Sequence, residues 1–114
     1  MCAGNMDNEF ELLAIDFNTK ARRSFFLSYQ RFEASAKKLD RRKEENVFQH
    51  LLAKYVYDLK EQLKNIATEL LYKNKSIKNI DQLNSIFQGK INDYLNEFRQ
   101  KSNSHWHCRV ACKV

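Results

Sequence analysis

The sequence predicts an all-α protein, an antiparallel three-helix bundle running up, down and up. Three observations carry that expectation. Apolar residues recur at steps of three and four along three long stretches, the spacing of one face of a helix. The chain has no proline and only two glycines in 114 residues, so almost nothing in it interrupts helix. The longest purely apolar runs, such as Leu12 to Ile15, reach about four residues, far short of the ~20 that a membrane span requires.

The first helix is expected to begin at Asp7 or Asn8, either of which can cap it, with Glu9 and Glu11 favourably placed against the helix dipole. Its stripe is Phe10, Leu13, Phe17, Ala21, Phe25, Tyr29, Phe32, Ala36 and Leu39. Polar residues Asp40 to Asn46 then leave a gap in the apolar pattern, where a connection belongs. The second helix resumes with Phe48, Leu51, Leu52, Tyr55, Leu59, Leu63, Ile66 and Leu70. It ends in Lys73 to Ser76, whose asparagine and serine suit a turn. Asn79 with Gln82 resembles a capping box for the third helix, which carries Ile80, Leu83, Phe87, Ile91, Tyr94 and Phe98 and is expected to stop near Lys101 to Ser104.

Residues 1–104 therefore read as one helical domain and 105–114 as a C-terminal tail, flexible or a short strand. Short connections favour an up-down-up bundle. The structural rival is one helix over residues 8–74, since no glycine or proline stands between Leu39 and Val47. Such a helix would be ~100 Å long and would bury its stripes only in an intermolecular bundle.

The net charge of +6 is blocked along the chain. Residues 1–19 hold four acidic and no Lys or Arg side chains, and residues 20–43 hold nine basic against two acidic. The bundle topology would gather Lys37, Lys38, Arg41, Arg42 and Lys43 with Arg99, Lys101, Arg109 and Lys113 at one pole. Such a pole suits phosphates, an acidic protein or simple solubility. Arg41, Arg42, Lys43, Arg99 and Lys101 are its candidate nucleic-acid contacts, and Trp106 is its candidate base-stacking ring.

Apolar doublets such as Phe25-Phe26 and Leu51-Leu52 widen the stripes. Neighbours on a helix point ~100° apart, so some doublet members lie beside the core face. Phe26, Val56 and Tyr57 are expected outside the core, as a partner-binding surface.

The tail concentrates two of three His, two of three Cys and the single Trp. Read as a strand, Trp106, Cys108, Val110, Cys112 and Val114 alternate on one face; read as helix, His105, Cys108 and Cys112 share one. Neither spacing matches a zinc framework, so no metal or other cofactor is expected.

His50 has no nucleophile at a useful spacing, and the acid pair Asp93 and Glu97 lacks a partner motif. The expectation is a non-enzymatic, cytoplasmic interaction module, most simply a homodimer. The alternative is a nucleic-acid-binding accessory protein acting through the basic pole.

Overall fold

A computed structural model describes the backbone of residues 2–112 and the side chains of residues 10–107. It holds three helices, α1 (Cys2–Ala36), α2 (Glu45–Lys73) and α3 (Ile80–Cys112). Ring pairs fix their directions. Phe17 stacks on Phe87 at 4.8 Å, and further along α1 Phe25 and Tyr29 meet Phe98 edge-on at 5.5 and 5.3 Å. α1 and α3 therefore run parallel. The first residues of α2 lie at the far end of both, where Phe48 meets Phe32 at 5.6 Å and Trp106 at 4.2 Å. This is the up-down-up bundle, a rod of 61 × 22 × 18 Å. No helix is long and apolar enough to cross a membrane among the described residues.

The break between α1 and α2 excludes the continuous helix. Asp40 makes it without glycine or proline. Its carboxylate accepts the Arg42 N–H at 2.9 Å, and its own N–H donates to the Glu44 carboxylate at 2.9 Å. Side chains thus capture backbone donors that a continuing helix would have used. The second connection is tied by Asn74, whose amide donates to the Leu70 carbonyl at 2.8 Å. Asn79 enters α3 with a left-handed φ of 63°, a conformation that asparagine tolerates better than most side chains. It meets Gln82 through the backbone, the Gln82 N–H donating to the Asn79 carbonyl at 3.0 Å.

The α1 stripe is buried from Phe17 to Ala36, with Phe10, Leu13 and Leu39 packed on its ends. On α2 the buried face is Phe48, Leu52, Val56, Leu59, Leu63, Ala67 and Leu70. Val56 and Ala67 fill the steps of four that Leu51, Tyr55 and Ile66 would leave irregular; those three sit half-buried at the margin. On α3 Leu95 takes the core position and Tyr94 lies at the edge, where its hydroxyl and the Asn18 side-chain carbonyl lie 3.1 Å apart. A tyrosine needs such a polar outlet.

The expected loose or strand-like tail is helix as far as Cys112. The stripe runs on from Phe98 through Ser102 to Trp106, both buried. Burying an indole of ~150–250 Å² holds the extra turns against α2. Gln49 and Asn103 add a side-chain hydrogen bond of 3.1 Å between the two helices. The side chains of Cys108 and Cys112 lie outside the described residues, as do those of Arg109 and Lys113.

Candidate functional site

Of the three residues expected outside the core, Phe26 and Tyr57 are 60% and 61% exposed. Val56 is a correction: it is 4% exposed and belongs to the core, because it stands four residues after Leu52 and three before Leu59. Phe26 and Tyr57 do not form one surface either, since they sit on the open sides of different helices.

The apolar surface collects on α1 instead. Leu12, Ile15 and Phe26 are 66%, 54% and 60% exposed. At ~100° per residue these three project within ~60° of arc, on one side of α1. Exposed Thr19 falls in the same arc. The row runs ~21 Å along the helix. Near its C-terminal end a groove lined by Phe26, Tyr29, Gln30, Glu33 and Lys101 separates it from α3. Ile86, 40% exposed, stands at the level of Phe17, because its neighbour Phe87 stacks on that ring. By contrast Val47, Tyr57 and Tyr72 are spread singly along α2, and exposed apolar residues scattered in this way are ordinary. The exposed row is hard to see in the sequence, because Leu12 and Ile15 sit in a four-residue apolar run whose other two members, Leu13 and Ala14, are half-buried.

The basic pole forms around aromatic rings. The Arg41 guanidinium lies over the Trp106 ring at 5.5 Å, and the Lys101 ammonium lies over Tyr29 at 4.6 Å. Lys37, Arg41, His105 and the rings of Tyr29, Phe32 and Trp106 line a half-open cleft of about 360 Å³, together with the carboxylate of Glu33. Arg42 and Lys43 project from the α1–α2 turn, and Arg99 lies exposed on α3 with its guanidinium 3.4 Å from the Asn96 side chain. Trp106 is 3% exposed and stacked on Phe48, so this ring is not open to stack on a base. The opposite pole is balanced: Lys20 pairs with Asp16 at 3.7 Å and Lys73 with Glu69 at 2.9 Å.

Burial pushes the Tyr29 phenol above its usual range, the Glu33 carboxylate adds to that, and the Ser102 hydroxyl partly offsets it. Ser102 Oγ is itself buried without a hydrogen bond of good geometry. His107 links α3 to the start of α2. Its Nδ1 is 2.9 Å from the Asn103 carbonyl and its Nε2 is 3.2 Å from the Glu45 carboxylate. Among the described residues no three His, Cys, Asp or Glu side chains gather closely enough to hold a metal ion. Compared with protein-family models, curated proteins and solved structures, the chain matches none.

Proposed function

We propose that this chain is a non-enzymatic helical interaction module that works by self-association. The observation that supports the reading best is the row of Leu12, Ile15 and Phe26, which leaves large apolar side chains open on one side of a helix whose opposite side fills the core. Apolar anchors gathered in one arc are the means by which helices recognise grooves and each other. A buried aromatic at the centre of such a contact is a typical energetic anchor, worth ~2–4 kcal/mol on truncation.

Size-exclusion chromatography with light scattering tests the reading. The native chain is expected to show a mass that rises with concentration toward that of a dimer. Phe26→Glu should hold it at monomer mass, while Tyr57→Glu, which changes an isolated exposed ring, should leave the association intact. A native chain that stays monomeric into the millimolar range would overturn the proposal.

A further inference from the structure

We infer that the partner of the α1 row is α1 of a second copy, packed antiparallel across a two-fold axis near Thr19. This rests on the self-association reading and adds the geometry of the complex. Two independent features of α1 converge on it.

The first is the spacing of the anchors. Leu12 and Phe26 stand seven residues on either side of Thr19. An axis at that point sets Phe26 of each copy onto the partner's Leu12, with Ile15 beside it. The contact is then the same patch on both chains, as a two-fold interface requires. Thr19 itself is small and exposed, so the helices can approach closely at the axis. Its hydroxyl donates to the Ile15 carbonyl at 2.9 Å, leaving no unpaired donor to bury.

The second is charge. Residues 1–19 carry four acidic and no Lys or Arg side chains, whereas Lys20 to Ala36 carry four basic and one acidic. An antiparallel pair lays the acidic half of each helix along the basic half of the other. A parallel pair would oppose acid to acid and base to base, which costs affinity and misdirects encounter. On the flank of the row the half-exposed Asp16, which also pairs with Lys20 of its own chain at 3.7 Å, comes opposite the partner's Arg23, exposed in the single chain. One row of side chains per copy is a small contact beside the ~1,200–2,000 Å² of standard stable interfaces. The dimer is accordingly a concentration-dependent one.

Cysteine cross-linking reads the axis directly. Thr19→Cys is introduced with Cys2→Ser, and the chain is oxidised in a glutathione buffer at a concentration where light scattering shows association. Near a two-fold axis the two introduced thiols fall within disulfide reach, so the tryptic peptide ending at Lys20 should be recovered linked to its own copy. Tyr57→Cys on α2, treated alike, should give no such homodimer, and adding Phe26→Glu to Thr19→Cys should remove the link. If the chain associates but the Tyr57→Cys variant links while the Thr19→Cys variant does not, self-association stands and this geometry is overturned. Equal linking in the two variants, or links that survive Phe26→Glu, would also overturn it. A chain that never associates overturns both proposals.

Discussion

Trp106 and Phe48 stack at 4.2 Å where the end of α1, the start of α2 and the last turns of α3 converge, and Arg41 lies over the same indole. That contact explains why α3 does not stop at Ser104, the point where its sequence turns polar. A buried aromatic truncated to alanine costs ~3–5 kcal/mol, a large share of the ~5–15 kcal/mol that holds a small domain folded. Trp106→Ala is therefore expected to lower the thermal midpoint by well over ~10 °C, read by circular dichroism, whereas Trp106→Phe should lose only a fraction of that. An unchanged midpoint for Trp106→Ala would mean that the last turns of α3 contribute nothing to the core. The tryptophan's position was legible in principle. Phe98, Ser102 and Trp106 follow one another at four-residue steps, but the serine hides the stripe because its hydroxyl reads as a surface group.

The helices show where pattern suffices and where it does not. Stripes of apolar residues defined all three helices and their order, because a 3.6-residue period leaves little choice when no proline intervenes, and Gly89 lies within α3 without breaking it. Which member of a doublet faces inward was less legible. Val56 and Leu95 are core residues while Leu51, Tyr55 and Tyr94 are marginal, and a neighbour ~100° away differs from a core position only by the direction of the adjoining helix. The α1–α2 break was visible as a polar gap, but its mechanism lies in the folded turn, where the Asp40 carboxylate and the Glu44 side chain each accept a backbone N–H at 2.9 Å. Losing a capping interaction of this kind costs about 0.5–2 kcal/mol. In the double variant Asp40→Ala, Glu44→Ala, the helices on either side are expected to become continuous in part of the population. Native chromatography would then show an exchanged dimer that resists dilution, with helix content by circular dichroism maintained or raised. A monomer of unaltered stability would show that the turn does not depend on these carboxylates.

At the scale of the whole molecule, the bundle separates a balanced pole, a basic pole and an apolar side. Blocked charge anticipated the two poles, since antiparallel packing brings the ends of successive helices together. Phe26 was legible as a residue beside the core, but its companions Leu12 and Ile15 were not, because nothing in a linear run tells which side of a helix the other two helices will leave open. In the proposed pairing, the charge asymmetry of α1 gives the open side a preferred partner orientation. Exposed ion pairs contribute only ~0.2–1 kcal/mol each, but a two-fold axis counts every pair twice. Reversing one member should therefore weaken the dimer by roughly tenfold, since ~1.4 kcal/mol is a factor of ten in affinity.

The most direct test of this account is sedimentation equilibrium of two charge-reversed chains, Asp16→Arg and Arg23→Asp, each alone and then mixed in equal amounts. Alone, each sets like charges opposite one another across the axis and is expected to dissociate at concentrations where the native chain associates. Mixed, they restore an acid–base pair on both sides of the axis, and a one-to-one heterodimer of near-native affinity is expected. A mixture no more associated than its components would contradict the antiparallel pairing of α1.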